Sequence, residues 1–479
     1  MHDPSKNENN GMKQWLSHRL SRVLGDIRPG EGSLVLLLTT NLTLALVCYY
    51  VLKTVREPLI LATGGAELKT YAAGVQAVAL MGAVPAYAWL TDRFDRFQAV
   101  RWLLLTFLGC IELFFLLVTL AVPMTGFAFY VWVGIFSLVV VAQFWSVAND
   151  LMSKEQGERL FPIVAIGASV GSLAGAQLAS RLFALQLTVP WLLQISAGLL
   201  VLHVFLYRRI EHHLTLTDAG TPASPPTPSS PMARRNGLQL VLANPYLLLI
   251  AALMLILNLV NTVGEYILAD FVRSAAEQAF AHSTDTNKKR FIQSYIGQTY
   301  GDFFSLVNVL GLLLQAFLAS RLVKWGGTRA ALLALPLVAL GTYGLAVTGA
   351  GFALFRLAKM AENATDYSIM NTAKALLWLP TSREEKYRGK QTVDTFFVRA
   401  GDVLAAAVVF LGLKFNLARA QFATVNLAII LVWVGVAIAL ARRYQRSADQ
   451  TNQAAQAMAQ TQSRTTTSPP SNPVSSNAP

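Results

Sequence analysis

The sequence predicts an all-α integral membrane protein with twelve transmembrane helices in two six-helix halves. Three observations carry this. Of 479 residues, 54% are hydrophobic and only 14% charged, where soluble domains carry roughly 25% charged residues. Apolar runs of bilayer length, about 20 residues, recur along the whole chain. They are too long for barrel strands, so they are helices that satisfy their own backbone hydrogen bonds in lipid. Finally, two loops repeat. Ser153–Arg159 reads SKEQGER and Ser382–Arg388 reads SREEKYR, and both fit S-[KR]-E-[EQ]-x-x-R.

The spans fall near 34–52, 70–91, 100–122, 126–151, 161–182, 187–207, 246–270, 300–322, 329–348, 351–378, 391–413 and 420–441. The repeated loops then follow the fourth and tenth spans. WLTDRFDR (Trp89 to Arg96) follows the second span, and the weaker RLVKWGGTR (Arg321 to Arg329) follows the eighth. A parallel repeat of this kind resembles the layout of major facilitator carriers. Residues 1–33 form a leader, whose stretch from Met12 to Leu24 alternates apolar and basic residues as a surface amphipathic helix does. The halves occupy 34–207 and 246–441. Between them, 208–245 is a linker containing TPASPPTPSSP, too rich in proline and serine to pack. The tail, 442–479, is rich in Gln, Ser and Thr and is expected to be disordered.

The net charge of +13 is spread over short loops and the tails, which argues against nucleic acid and for orientation in a bilayer. Lys and Arg crowd alternate loops and both termini, and the positive-inside rule puts these in the cytoplasm. The run Lys288-Lys289-Arg290 dissents, and the reading assigns it to a long loop, where the rule weakens. The leader does not read as a signal peptide. Cys48 and Cys110 both fall in apolar spans, so no disulfide framework or cysteine metal site is expected. No P-loop pattern is present. Gly167, Gly171 and Gly175 recur every fourth residue within the fifth span and read as a helix-packing face.

Charges inside membrane spans are costly, by about 2.5–3.5 kcal/mol on insertion scales, so they mark candidate sites. In the tenth span Arg356, Lys359, Glu362, Asp366 and Lys374 fall on about a third of a regular helix circumference. They line a water-filled cavity or form a structural ion-pair ladder. Asn258, Asn261 and Glu265 share a face of the seventh span. Tyr49, Lys53 and Arg56 project to one side at the end of the first, Lys53 being either a headgroup anchor or a site residue. Asp394, Arg399 and Asp402 read as structural partners, and Glu112 as a lone carboxylate. Cations on the first and tenth spans facing one void call for an anion, and phosphate suits Arg. Asp92, Arg93 and Arg96 form either a gate or a charge cluster that sets topology.

Several stretches together resemble the ATP/ADP translocase family of plastids and intracellular bacteria and its bacterial relatives. They are TVREPLILATGGAEL, FWSVANDLMSKEQGERLFPIVAIGASVGSLAGA, NLVNTVGEY, YGDFFSLVN and TAKALLWLPTSREEKYRGKQTVDTFFVRAGD, in order from the first span to the eleventh. The resemblance implies nucleotide exchange through a cavity of basic and acidic residues. By position, the family's first-span Lys falls on Arg56 and its tenth-span Lys on Lys374. Its seventh-span Glu falls on Asn261, with Glu265 one turn later. Its fourth-span Glu falls near Val133, and the Glu after the tenth-span Lys is Ala375. The cationic half of the site is kept and the acidic half largely is not.

The expectation is a carrier, not an enzyme, without cofactor or metal. It moves an ATP/ADP-like nucleotide or another phosphorylated anion by alternating access, exchange being one mode. Lys53, Arg56, Asn261, Glu265, Arg356, Lys359, Asp366 and Lys374 are the candidate substrate contacts, and Asp92, Arg93 and Arg96 the gate. The bilayer is the other partner, a monomer is favoured, and the bacterial relatives imply the inner membrane. The alternatives are a proton-coupled carrier of another solute, using Glu265, Asp366 or Glu112, and a membrane scaffold or sensor.

Overall fold

The computed structural model describes residues 27–28, 31–93, 96–217 and 237–466, helical almost throughout. The first half comprises α1 (Gly32–Arg93), α2 (Arg96–Thr119), α3 (Thr125–Leu151), α4 (Lys154–Ala184) and α5 (Val189–Thr217). A short α6 (Gly237–Ala243) leads into α7 (Pro245–Ala281), α8 (Lys288–Leu313), α9 (Ser320–Val347), α10 (Phe352–Thr365) and α11 (Asn371–Leu377). Then come α12 (Lys390–Thr392), α13 (Val398–Lys414) and α14 (Arg419–Thr466). Wider π-helical turns join α8 to α9 (Leu314–Ala319) and α10 to α11 (Asp366–Met370), and flank α12 (Glu385–Gly389, Val393–Phe397).

Nine helical stretches among the described residues are long and apolar enough to cross a bilayer. Two of them double back through a left-handed glycine, Gly65 (φ 70°) in Gly32–Ala83 and Gly327 (φ 63°) in Lys288–Val347. Left-handed backbone costs an L-residue with a side chain energy that glycine does not incur, so a glycine at each point lets the chain reverse without a loop.

That geometry corrects three expectations. The first span does not end at residue 52. Its helix continues to Gly65, about 50 Å at 1.5 Å per residue, so Lys53, Arg56 and Glu57 sit inside the helix and not in a headgroup loop. The run Lys288-Lys289-Arg290 is not in a long loop either, because α7 continues to Ala281 and these residues form the first turn of α8. The tail is helical as far as Thr466, since Ala and Gln in QAAQAMAQTQ are good helix formers. Met12 to Leu24, the proline-rich stretch 221–231 and residues 467–479 lie outside the described residues.

The glycine stripe of the fifth span packs as expected. A Cβ at Gly167 would lie 2.6 Å from the Thr39 carbonyl oxygen, and one at Gly175 2.6 Å from that of Val47. So α4 and α1 touch backbone to backbone. Gly175→Leu is expected to force them apart and destabilise the first half by about 1–3 kcal/mol or more, read as a lower Tm of the detergent-solubilised protein. An unchanged Tm would show that the helices have room to slide.

The repeated loops have a shared purpose. Ser153 Oγ accepts from Gln156 N at 3.3 Å, and Gln156 Oε1 accepts from Ser153 N at 3.0 Å, a reciprocal cap on α4. Gln156 Nε2 and Arg159 Nη2 then donate to Glu31 Oε1, just ahead of α1, at 3.3 and 2.9 Å. In the second half Ser382 and Glu385 form the same reciprocal cap at 3.3 and 2.8 Å. Glu385 Oε1 accepts at 2.6 Å from Asn244, the residue that caps α7. Each motif thus ties a loop to the start of its half's first helix. These ties define one end of the molecule, called here the basic end.

Hydrogen bonds from the Arg159 guanidinium and the Arg28 amide hold the Glu31 carboxyl below its ordinary value. A lowered folded value means the tie stabilises above the unfolded carboxylate value, about 4.3, and that this gain fades as pH falls through the lower folded value. Glu31→Gln is therefore expected to lower Tm at pH 7, with the gap to wild type closing below about pH 4. A gap that stayed constant with pH would remove the ionic contribution.

The halves meet where α1 contacts α7, α8 and α13, and where α4 contacts α8. A Cβ at Gly301 would lie 2.7 Å from Ser180 Cβ, so α4 and α8 also touch closely. Ser180 Oγ donates to Asp302 Oδ1 (2.5 Å), Ser294 Oγ to the Phe183 carbonyl (2.6 Å) and Arg290 Nη2 to the Gln186 carbonyl (2.7 Å). All three lie toward the end opposite the basic end, which is where α4 finishes and α8 begins.

Candidate substrate site

A cavity of about 320 Å³ lies between the halves. Its cations come from α1: Lys53 and Arg56 before the Gly65 reversal and Lys69 after it. Asn258, Asn261, Thr262 and Glu265 on α7 face them, with Asn363 on α10, Tyr367 in the π-helical turn, and Arg399 and Asp402 on α13. Tyr130 and Phe304 supply aromatic wall. This length of α1 carries cations because the helix outlasts the apolar run that the sequence reading took as its end.

The charges are unequally partnered. Lys53 Nζ lies 4.2 Å from the Phe304 ring centre and 5.0 Å from that of Tyr50, a cation–π seat. Among the described residues no carboxylate comes within salt-bridge reach of it. The Arg56 guanidinium stacks 4.0 Å from the Tyr130 ring centre and donates to Glu57 Oε1 at 2.7 and 3.1 Å. Glu57, 0% exposed, holds Lys69 through its other oxygen at 2.9 Å. Lys69 reaches across to Glu265 Oε2 (3.2 Å) and accepts company from the Tyr300 hydroxyl at 3.1 Å. Asn363 Nδ2 donates to Glu265 Oε1 at 3.4 Å. Thr262 Oγ1 donates to Asp402 at 2.7 Å, and Arg399 lies 3.6 Å from the same carboxylate.

Four of the sequence-read contacts meet here: Lys53, Arg56, Asn261 and Glu265. The tenth-span stripe does not join them. Lys359 is 0% exposed, 2.7 Å from Glu362, and donates to Asn261 Oδ1 (3.1 Å) and the Tyr343 hydroxyl (3.2 Å). That is the structural ladder, inside the second half. Arg356 is half-buried one turn into α10 and has no ion pair among the described residues. Asp366 pairs with Lys374 at 3.0 Å, and neither lines the cavity. Lys374 stands about 10 Å along the helix from Tyr367, toward the basic end. The face that does meet the cavity carries Asn363 and Tyr367, four residues apart. Regular helical spacing misplaced the stripe because the π-helical turn at Asp366–Met370 shifts the register.

Glu112 is exposed and accepts from Gln194 at 2.9 Å, away from the cavity. Arg93 is exposed with its guanidinium 4.8 Å from the Trp89 ring centre. The side chains of Asp92 and Arg96 lie outside the described residues. Asp394 does not line the cavity, whereas Arg399 and Asp402 do so while also partnering α7. Glu57 and Lys69 were missed as site residues, although both stand in the charged stretch around Gly65. The signal for Lys69 was its place one turn beyond a Gly-Gly pair, where a chain reversal brings it back beside Glu57.

A family model for the TLC ATP/ADP transporter matches residues 117–444. The chain belongs to that family. This TLC-family chain is 23% identical to ADP,ATP carrier protein 2 of Chlamydia pneumoniae, over 84% of its own length and 87% of the carrier's. Its fold is similar to that of the nucleoside transporter NupG (TM-score 0.58, 14% identity, 86% of this chain and 99% of that one). A bacterial homologue of the lysosomal transporter Spinster, in an inward-facing conformation, is similar too (TM-score 0.57, 14% identity, 88% and 99%). So is an auto-inhibited POT family peptide transporter (TM-score 0.60, 11% identity, 86% and 96%). The TLC-family protein is therefore a multi-pass membrane transporter of major facilitator architecture.

Proposed function

We propose that the protein exchanges a nucleotide, or a closely related phosphorylated anion, across the membrane by alternating access. The observation that carries this is the pair of cations on α1. Lys53 faces only aromatic rings, and Arg56 shares its one carboxylate with Lys69. Both have charge to offer an incoming anion. Arg56 and Lys53 hold phosphate, and Tyr130, Phe304 and Tyr367 offer faces for a base. Asn258, Asn261 and Thr262 offer hydrogen bonds to base or sugar. The cavity volume falls within the range of small-molecule sites, about 300–1,000 Å³. Lys374, on the basic-end side, draws the anion inward.

Twelve crossings follow if Gly65 and Gly327 each divide a long stretch in two and α10–α11 crosses as well. The basic end and both termini then face the cytoplasm, in a bacterial inner membrane, with a monomer as the working unit. Counterflow in proteoliposomes tests the function. With unlabelled ADP inside, labelled ATP outside is expected to accumulate, and to do so only when internal nucleotide is present. No accumulation by folded protein would sink the nucleotide reading.

A further inference from the structure

Among the described residues, one ion pair joins the two halves: Lys69 on α1 with Glu265 on α7, at 3.2 Å. Lys69 is only 4% exposed at its side chain and also bonds Tyr300 of the second half. Its remaining partner, Glu57, belongs to its own half. Opening the end opposite the basic end must separate α1 and α4 from α7 and α8. It must therefore break the Lys69–Glu265 pair while the Lys69–Glu57 pair stays whole.

The carboxylate of Glu57 is divided. One oxygen serves Arg56 at 2.7 Å and the other serves Lys69 at 2.9 Å. Arg56 lines the cavity, so an anion bound there draws the guanidinium away from Glu57. Glu57 is then left to Lys69 alone, and an anion in the same cavity competes directly with Glu265 for the Lys69 ammonium. Glu265 keeps a partner after release, because Asn363 already donates to its other oxygen. In a site of low dielectric these exchanges are strong. Every charge keeps a partner throughout, so the swap avoids the cost of stranding a buried ion.

We propose that Lys69 is a cargo-released latch. With the cavity empty it bolts the two halves together through Glu265. An anion on Arg56 shifts Glu57 and Lys69 toward each other and frees Glu265, so that this end opens. An empty carrier then cannot readily change sides, which makes exchange obligatory. The inference rests on the anion reading of the cavity, and it assigns Glu57 and Lys69 a positioning role beyond contact with cargo.

The test places spin labels at Leu185 and Lys289, both exposed at the latched end, in full-length protein carrying Cys110→Ala, and measures their distance in nanodiscs. Glu265→Gln without ligand is expected to raise the ratio of open to closed populations at least tenfold. In liposomes the same variant is expected to release preloaded nucleotide into nucleotide-free buffer at least tenfold faster than wild type. A merely structural role would not produce that gain. ADP added to wild type is expected to open the labelled end, and Glu57→Gln is expected to abolish that response. Should Glu265→Gln yield no folded protein, Glu57→Gln/Lys69→Met removes two opposite buried charges together and carries the same prediction. If the unlatched variants keep the wild-type distances and remain strictly coupled, the latch is overturned. If they open but no nucleotide moves the wild-type distances, the latch stands and the nucleotide reading fails.

Discussion

Arg56→Met is expected to reduce counterflow roughly ten- to a hundredfold while leaving the protein folded. A hydrogen bond to a charged group contributes about 1.5–3 kcal/mol, and each 1.4 kcal/mol is about a factor of ten. The variant isolates cargo binding because of what it leaves in place. Glu57 retains Lys69 at 2.9 Å, so no buried carboxylate is orphaned, and the Met side chain keeps an apolar contact with the Tyr130 ring. The measurement is the initial rate of labelled ATP uptake into ADP-loaded liposomes, with Tm recorded on the same preparation. Wild-type uptake at wild-type Tm would take Arg56 out of the site and leave Lys53 as the sole anion contact on the first helix.

Lys359→Met is expected to act on folding instead. It strands Glu362, which is 4% exposed and whose other partner is the Tyr343 hydroxyl at 3.3 Å. Removing one member of a buried pair costs about 3–5 kcal/mol, whereas replacing both by apolar groups is often neutral or stabilising. Lys359→Met should therefore lose the monodisperse peak in size-exclusion chromatography, and Lys359→Met/Glu362→Met should recover it. A single variant as stable as wild type would mean that Glu362 finds water or another donor. Together the two experiments separate cations that hold cargo from cations that hold the second half together, a division the sequence does not display.

Part of the site was legible because it follows from cost. Charges rarely sit in membrane helices without a reason, so Lys53, Arg56, Asn261 and Glu265 could be picked from their surroundings in the chain, and the cavity contains all four. The tenth span misled for a local reason. Its stripe assumes 100° per residue, and the π-helical turn at Asp366–Met370 breaks that spacing. As a result Lys359 turns into its own half, Asp366 and Lys374 pair with each other, and Asn363 and Tyr367 take the cavity. Glu57 and Lys69 went unread as partners because twelve residues and a left-handed glycine separate them. Only the reversal at Gly65 brings their charges within 2.9 Å.

By itself the sequence determined that this is a helical membrane carrier built from two related halves. Apolar length, loop charge and the repeated Ser-to-Arg motif are properties of a linear chain, and lipid leaves the backbone few other choices. The glycine stripe of the fifth span was of the same kind, since a four-residue spacing needs only a regular helix. Which charges face one another was decided by the tertiary structure alone. A buried ion is stabilised by whatever stands within about 3–4 Å of it, and those neighbours come from helices far apart in the chain. Lys69 meets Glu265 and Lys359 meets Asn261 because of how helices cross and reverse, and no periodicity in the sequence records that.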